Sequence, residues 1–218
     1  MAVSAQMALT AGIMPVAVAQ DNTALEEVVI TGTRREARSV YDSAAPIDVI
    51  AGDDFRNQGG TDMSDLIRNV VPSYNVNAQP ISDAATVIRP ANMRGLAPDH
   101  TLVLLNGKRR HRASVITWLG NGVSDGAQGP DISPIPAIAL KQVEVLRDGA
   151  SAQYGSDAIA GVMNFILKDS PEGGTIEVKY GEYSEDSESV YSIAGNIGVP
   201  ITSAGFFNAS FEYGESDA

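Results

Sequence analysis

Cysteine is absent from this 218-residue chain, and histidine occurs only twice, at His100 and His111. The missing cysteine excludes disulfides, thiolate metal sites and cysteine nucleophiles. Two histidines eleven residues apart do not favour a histidine-based metal site, so we expect neither a metal nor a cofactor. The chain also lacks a phosphate-binding glycine loop and a serine nucleophile elbow. These absences predict that the protein is not an enzyme.

Basic residues are few, because 15 Lys and Arg stand against 27 Asp and Glu, for a formal net charge of −12. Phosphate affinity comes mostly from clustered Lys and Arg, so we expect no nucleic-acid partner. The charge is also unevenly placed. Residues 172–218 carry nine acidic side chains and one Lys, whereas residues 99–112 are basic. This asymmetry predicts segments that lie in different surroundings.

Charge is missing altogether from residues 1–19, which end in the small-x-small pattern Ala17-Val18-Ala19 that signal peptidase cuts. The run is too short and too often interrupted by polar residues to span a membrane as a helix. We interpret it as a truncated signal peptide, with a flexible Ala-rich tail as the alternative. On this hypothesis the mature chain begins at Gln20 and works outside the cytoplasm.

The polar segment 20–40 contains one apolar island, Val28-Val29-Ile30, which predicts a short extended segment. Three β-forming residues cannot make a core alone. They form either an edge strand of the next domain or an exposed strand that pairs with a partner protein by β-augmentation. The sequence leaves both interpretations open.

Residues 41–168 predict a small α+β domain with few helices and long loops. Apolar runs predict strands at residues 47–50, 101–105, 142–146 and 162–167, and Asn106-Gly107 predicts a hairpin after the second of them. One helix begins near the capping residue Thr61 and presents Met63, Leu66, Ile67 and Val70 on one face. We expect residues 73–100 and 117–136 to be loops, which in a compact domain are usually functional or sheltered.

After Pro171 the pattern changes to alternation of apolar and polar residues in three segments of about ten residues. Tyrosines lie towards the ends of these segments. The alternation is typical of outer-membrane barrel strands, and it also fits a half-buried antiparallel sheet.

Four segments together resemble the N-terminal part of a TonB-dependent outer-membrane receptor. Residues 27–31 (EVVIT) resemble the TonB box, and residues 88–110 (IRPANMRGLAPDHTLVLLNGKRR) resemble the central plug motif. Residues 135–168, with VEVLRDGASAQYGSDAIAGVMNFILK at their core, resemble the C-terminal signature of the plug. The three alternating segments then follow where the barrel of that family begins.

The resemblance implies an α+β plug domain followed by the first antiparallel strands of a transmembrane β-barrel, which in this family has about 22 strands. The implied division is a truncated signal peptide at 1–19, the TonB box and linker at 20–40, the plug at 41–171 and barrel strands at 172–218. Because three strands cannot close a barrel, we expect a fragment of a longer receptor or a truncated product.

The resemblance also implies a function in the outer membrane, with the barrel in contact with lipid. The receptor imports a scarce, bulky nutrient, its plug gates the barrel, and its TonB box pairs with a strand of TonB that transmits energy from the inner membrane. The alternative is a free periplasmic plug-like module that binds TonB without transport.

Individual site residues follow from the resemblance as expectations. The residues that would pair with TonB are Glu27, Val28, Val29, Ile30 and Thr31. The motif arginines Arg94 and Arg147 are expected to face carboxylates of the barrel wall as buried charges, with Glu144 in the same network. The expected structural turns are at Gly95, Asn106, Gly107, Gly149, Gly155 and Gly161.

Overall fold

The computed structural model describes residues 28–29, 38–39, 46–58, 60, 62–76, 88–89, 91–116, 125–182, 189–203 and 205–216. The predicted signal peptide lies outside the described residues, as does most of the predicted linker. The strands are β1 (Val28–Val29), β2 (Arg38–Ser39), β3 (Ile47–Ala51), β4 (Tyr74–Val76), β5 (Ala91–Met93), β6 (Thr101–Leu105), β7 (Lys108–Arg109), β8 (Leu140–Leu146), β9 (Gly161–Leu167), β10 (Gly173–Glu182), β11 (Ser189–Thr202) and β12 (Gly205–Ser216). The helices are α1 (Gly52–Arg56), α2 (Met63–Val70) and α3 (Ser151–Tyr154), with 3₁₀ turns at Pro98–His100, Ala137–Ala139 and Ser156–Ala158.

A five-stranded sheet in the order β3-β8-β9-β6-β7 forms the centre of the α+β domain. β6 and β9 run parallel, and the other neighbouring pairs are antiparallel. The two central strands β8 and β9 are buried over most of their length; β9 is apolar except for Asn164, whereas β8 also buries Gln142 and Glu144. The four strands predicted for this domain are therefore present.

The core lies between this sheet and the two helices that precede β4. Phe55 of α1 and Leu66 and Ile67 of α2 are buried against Val143 and Phe165 of the central strands. Each of these side chains contributes about 1.5–3 kcal/mol to folding when it is fully buried. The predicted apolar face of the second helix is thus the face that packs on the sheet.

The cap of α2 is Asp62, whose Oδ1 accepts a hydrogen bond from the backbone N–H of Ser64 at 2.8 Å. We expected Thr61 to cap this helix, and Thr61 lies outside the described residues. Asp62 satisfies a free N–H group at the start of the helix and places a negative charge at the positive end of the helix dipole. The helix ends before Pro72, as predicted, because residues that precede proline avoid the helical region.

The expectation of an uninterrupted loop over residues 73–100 is wrong at both ends. β4 and β5 pair antiparallel there, and Tyr74 lies opposite Met93. Tyr74, Val76 and Met93 are buried in the main core. A three-residue strand is too short to show periodicity in sequence, which is why this pair was not predicted.

The three segments after Pro171 form a separate antiparallel sheet in the order β10-β11-β12. Strand lengths are 10, 14 and 12 residues. One face carries exposed apolar side chains from all three strands, among them Ile176, Ile193 and Phe211. The other face carries Ser192, Ala194 and Asn196, which are buried. The predicted alternation is therefore observed.

Among the described residues, none of the helices has the length and apolar composition needed to cross a membrane.

Candidate functional site

The apolar island near the N-terminus forms a two-residue ladder with a later part of the same segment. Val28 of β1 lies opposite Ser39 of β2, and Val29 lies opposite Arg38. This pair is a sheet of its own and is separate from the five-stranded sheet. The interpretation as an edge strand of the next domain is therefore wrong. Glu27, Ile30 and Thr31 lie outside the described residues.

The two motif arginines pair with carboxylates near the shared ends of β3 and β8. The guanidinium of Arg147 forms two contacts with Asp48, at 2.7 Å from Nε and 3.0 Å from Nη2. Arg94 lies 3.7 Å from the carboxylate of Asp148. Both arginine side chains are nearly half exposed, at 45% and 44%. Their carboxylate partners among the described residues belong to the α+β domain itself, and the expected burial against carboxylates of the barrel wall stays a prediction.

Glu144 lies in the core of the α+β domain and is fully buried. Its carboxylate accepts hydrogen bonds from Gln142 at 3.2 Å and from Asn164 on the neighbouring strand at 3.1 Å. Asn164 in turn accepts a hydrogen bond from the backbone N–H of Gly107 at 2.9 Å. The network therefore links β8 and β9 to the turn between β6 and β7. Placed there, Glu144 is a polar anchor inside the domain.

Five of the six predicted turn residues have a positive φ. Asn106 and Gly107 both have positive φ, at 49° and 74°, as a two-residue hairpin turn of type I′ requires. Gly161 has a φ of 152°, and a Cβ atom there would lie 2.5 Å from the carbonyl oxygen of Leu146. Positive φ also occurs at Gly95 and Gly155, whereas Gly149 packs close to the carbonyl oxygen of Ile159.

A seam of polar contacts joins the α+β domain to the polar face of the three-stranded sheet. Glu177 of β10 lies 3.6 Å from Arg56 of α1 and 3.1 Å from Lys179 on its own strand. Lys179 also donates a hydrogen bond to the carbonyl oxygen of Gln58 at 3.3 Å. We refer to Arg56, Gln58, Glu177 and Lys179 as the seam cluster. Sequence reasoning missed it, although charged residues on the polar face of the predicted strands were a visible signal.

A second contact across this seam involves the 3₁₀ turn before β8. The backbone N–H of Ala137 donates a hydrogen bond to Oε2 of Glu212 on β12 at 3.2 Å. Because Glu177 and Glu212 lie on strands at opposite edges of the three-stranded sheet, the α+β domain is held to that sheet at two separate places. Both contacts are polar, so they can exchange with water at little free-energy cost.

Two ionisable groups of the α+β domain and its connection to β10 have shifted pKa values. Burial, followed by the nearby charge of Arg56, lowers the pKa of Lys168 from its ordinary value. Burial raises the pKa of Tyr74, so this phenol stays neutral at physiological pH. Burial is the largest cause of both pKa shifts.

No group of three or more His, Asp or Glu side chains within the described ranges is arranged to hold a metal ion. The geometry instead consists of a short N-terminal strand pair, a compact sheet domain and a polar seam against a sheet with one apolar face.

The comparisons with known proteins agree with this geometry. Residues 39–162 match the model of the TonB-dependent receptor plug domain family. The chain is 29% identical over 201 residues to the ferric enterobactin receptor PirA of Pseudomonas aeruginosa, a match that covers 88% of this chain and 26% of that receptor. It is 27% identical over 188 residues to the vitamin B12 transporter BtuB of Photobacterium profundum, covering 86% of this chain and 28% of that transporter.

The fold is similar to that of a solved receptor. The crystal structure of the siderophore receptor PirA from Acinetobacter baumannii superposes with a TM-score of 0.60 at 26% identity, over 82% of this chain and 26% of that one. The chain thus spans about a quarter of the length of the curated relatives that it matches.

Proposed function

Because the chain belongs to the TonB-dependent receptor plug domain family, we propose that it contributes the plug and barrel strands of a receptor that imports a scarce, bulky nutrient. The chain is an α+β plug domain followed by antiparallel barrel strands, and its place is the outer membrane. In this proposal the plug comprises residues 41–171 and the barrel strands comprise residues 172–218. The segments before them are a signal peptide at 1–19 and the TonB box and linker at 20–40.

The single observation that carries the proposal is the two-faced sheet packed on the plug. Its apolar face is exposed along all three strands, whereas its polar face meets the plug through the seam cluster and Glu212. An exposed apolar face of this size is compatible with contact with lipid. A polar face packed against the plug is compatible with a barrel wall from which the plug can separate. In a free periplasmic plug-like module this apolar face would be exposed to water, which disfavours that alternative.

Coupling to TonB is proposed from the position and backbone character of β1. Main-chain hydrogen bonds supply most of the affinity when a strand is added to a sheet edge, so the box needs only β-compatible side chains and an accessible backbone. The two valines of β1 meet the first requirement. We expect Glu27 to Thr31 to pair with a TonB strand, and force through this joint to remodel the plug.

The nutrient is proposed as a class. One relative is named for ferric enterobactin and another for vitamin B12, and both solutes are scarce and bulky. We transfer to this chain only the class that the two solutes share, a scarce and bulky nutrient. It requires binding, release and passage of an intact solute, without a bond made or broken in it.

A proline at position 29 tests the coupling, because Val29→Pro removes a backbone N–H group from the middle of the box. We expect TonB-dependent uptake by the full-length receptor to fall to the level of a strain without TonB. Surface binding of solute stays unchanged, because the box is remote from the solute. Ala24→Pro, which introduces the same residue earlier in the same segment, serves as the matched control and retains uptake.

Surface binding and uptake are both measured with radiolabelled solute. Binding is measured in de-energised cells, and uptake is measured in energised cells. Uptake by Val29→Pro equal to that of Ala24→Pro contradicts the box assignment. Loss of surface binding in Val29→Pro contradicts it as well, because that result places residue 29 in the solute site or in the stability of the plug.

A further inference from the structure

An open groove of about 570 Å³ crosses the exposed apolar face of the three-stranded sheet. Three large apolar side chains border it, one from each strand, and three small residues lie between them. The large ones are Ile176, Ile197 and Phe211, and the small ones are Gly174, Gly195 and Ala209. The volume lies within the range of about 300–1,000 Å³ that is typical of small-molecule pockets. The roles proposed above need an apolar face, and none of them uses a groove in it.

The register of the three strands produces this groove. Gly195 of β11 lies opposite Ile176 on one side and opposite Phe211 on the other. In the next row of the same face, Ile197 lies opposite Gly174 and Ala209. Both rows therefore contain residues with little or no side chain, and the missing side chains leave one continuous depression. All six residues belong to the described strands, so no residue outside them is needed to form it.

The walls of the groove have fixed positions. A Cβ atom at Gly195 would lie 2.3 Å from Cε1 of Phe211, so the phenyl ring leans over β11 into the space that a side chain at residue 195 would fill. An aromatic ring that covers a glycine of a neighbouring strand stabilises a sheet. Ile176 and Ile197 are β-branched and therefore have few rotamers. The groove is thus preformed, and an occupant loses little free energy in ordering its walls.

A row of polar side chains marks one end of the same apolar face. Tyr180 lies opposite Tyr191, and Tyr191 lies opposite Glu215. The carboxylate of Glu215 accepts hydrogen bonds from the hydroxyl of Tyr191 at 2.5 Å and from the hydroxyl of Tyr213 at 3.3 Å. Tyrosines are enriched where a membrane meets water, and a carboxylate is costly in hydrocarbon. We therefore assign this row to the membrane–water interface.

The distance from this row places the groove near the middle of the membrane. Gly195 and Ile197 follow Tyr191 by four and six residues on β11, which is about 14–20 Å along an antiparallel strand. At the usual strand tilt of about 35–45°, this length corresponds to a depth of about 10–17 Å. The hydrocarbon core of a bilayer is about 30 Å thick. The groove is therefore surrounded by hydrocarbon, and the acyl chains of lipids are the groups available to fill it.

The charges of these strands do not favour recognition of a lipid by an anionic headgroup. Lys179 is the only basic residue of segment 173–216, and it contacts Glu177 and the carbonyl oxygen of Gln58 on the plug side of the sheet. At the interface row, Glu215 adds negative charge, which repels a phosphate. Recognition of a lipid at this face therefore depends on the apolar groove.

We infer that this groove binds one acyl chain of a membrane lipid and holds that lipid on the receptor longer than the lipids around it. The inference rests on the proposed function, because it requires β10, β11 and β12 to be barrel strands in the outer membrane. Lipid tails are as apolar as the wall, so the preference for the groove comes from close packing. A flat face contacts a chain on one side, whereas the groove surrounds it with Ile176, Ile197 and Phe211, and dispersion attraction sums over these contacts.

Native mass spectrometry of the purified full-length receptor tests the inference, with dioleoyl-phosphatidylcholine added to the detergent solution as the probe. Ala209→Leu fills the groove, and Phe211→Ala removes one of its walls. We expect the wild type to retain one lipid more than either variant, whose affinity for that lipid falls about tenfold or more. Val199→Leu is the matched control, because Val199 is exposed on the same face outside the groove, and this variant retains the lipid. Dihexanoyl-phosphatidylcholine has the same headgroup on chains too short to reach the groove, and it is not retained.

Equal retention of the dioleoyl lipid by the wild type, Ala209→Leu and Phe211→Ala overturns the inference. Retention of the dihexanoyl lipid overturns it as well, because recognition then lies in the headgroup. An equal loss in Val199→Leu has the same consequence, since the whole face and not the groove then binds the lipid. Receptor dimers that Ala209→Leu abolishes assign the groove to a second copy and also overturn the inference. The measurement needs neither TonB nor solute, so its failure leaves the proposed function standing if Val29→Pro still abolishes uptake.

Discussion

Asn164 shows how one side chain can hold several elements of the plug together. It donates to buried Glu144 and accepts from the backbone N–H of Gly107, so β8, β9 and the hairpin turn share one amide group. The turn receives a second bond, because Asn106 accepts the backbone N–H of Leu167 at 2.9 Å. Buried polar networks that are fully hydrogen-bonded rigidify a core. We expect the sheet around this network to be the part of the plug that moves least.

Lys168 supports a prediction about pH, because burial and Arg56 lower its pKa from the ordinary value of 10.5. Below the lowered value both the folded and the unfolded state are protonated, and burying the charge costs the fold a constant amount. As pH rises from the lowered value towards 10.5, the folded state loses its proton first, so the free energy of unfolding increases. Lys168→Met removes the buried charge. We expect it to stabilise the protein at pH 7 and to flatten the alkaline increase.

Urea denaturation at several values between about pH 7 and 10 measures both effects. This range avoids the ionisation of Tyr74, whose raised pKa lies above it. Lys141→Met is the matched control, because Lys141 is more exposed and lies 3.6 Å from Asp169. We expect this control to change the free energy of unfolding by about 1 kcal/mol or less and to keep the alkaline increase. An unchanged pH dependence in Lys168→Met contradicts the prediction.

Among the elements, the five-residue helix α1 is positioned by close backbone packing. A Cβ atom at Gly52 would lie 2.1 Å from the carbonyl oxygen of Leu140, where the helix starts beside β8. Phe55 then fills the core, and Arg56 reaches the barrel strands. The helix therefore connects the N-terminal strand of the plug to the seam cluster, and its position depends on the absence of a side chain at residue 52.

Gly52→Ala tests this packing. The added methyl group meets backbone atoms that cannot rotate away, so we expect α1 to shift and the free energy of unfolding to fall by about 1–3 kcal/mol. Gly60→Ala is the matched control, because a Cβ atom there would lie at 3.4 Å from a Leu66 methyl group, close to ordinary contact distance. Urea denaturation of both variants gives the comparison. A loss in Gly52→Ala no larger than that in Gly60→Ala refutes the role of close packing.

Elements with strong local signals could be predicted from the sequence. The strand and hairpin at residues 101–109 follow from a run of apolar residues and Asn106-Gly107, and α2 follows from its 3.6-residue periodicity. α1 was not predicted, because Gly52, Asp53 and Asp54 are poor helix formers and its short length allows little periodicity. Tertiary packing on β8 determines this helix, and such packing is not visible in a local window.

For the site residues as well, the positions could be predicted from local sequence, and the contacts could not. Sequence motifs identified Arg94 and Arg147, but their partners Asp148 and Asp48 could not be chosen without the register of β3 against β8. The burial of Glu144 likewise depends on its central strand, which has neighbours on both sides. A motif therefore gave the positions of charged groups, and the sheet topology determined which charges meet.

At the scale of the whole molecule, the plug and the barrel strands meet through polar contacts and through a small apolar patch, where Leu66 and Ile138 lie near Ala194. The seam cluster and the bond between Ala137 and Glu212 lie at opposite edges of the three-stranded sheet. Partly exposed ion pairs and single hydrogen bonds contribute only about 0.5–1.5 kcal/mol each. An interface of this kind holds the plug in place and releases it without the unfolding of a hydrophobic core.

Cross-linking tests whether release at this seam is needed for transport. These 218 residues contain no cysteine, so Ala137→Cys and Glu212→Cys place the only two thiols of this part of the receptor on either side of the contact. We expect a short, reducible bis-thiol reagent to bridge them in the full-length receptor. The bridged receptor retains solute binding, and its uptake falls by tenfold or more. Reduction of the linker restores uptake.

Each single cysteine variant, treated with the same reagent, controls for modification alone and keeps its uptake. Full transport by the bridged receptor contradicts the idea that the plug must separate from this part of the wall.

The pairing of β1 with β2 has a consequence for the affinity with which a partner strand binds β1. Only residues 30–37 separate the two strands, and a connection this short gives β2 an effective concentration on the order of millimolar. Any partner strand that uses the same edge of β1 must displace β2. Its apparent affinity is therefore its intrinsic affinity multiplied by the fraction of chains in which that edge is unpaired. Under the proposed coupling to TonB, β2 therefore competes within the same chain for the strand that TonB binds, which raises the TonB concentration needed for engagement.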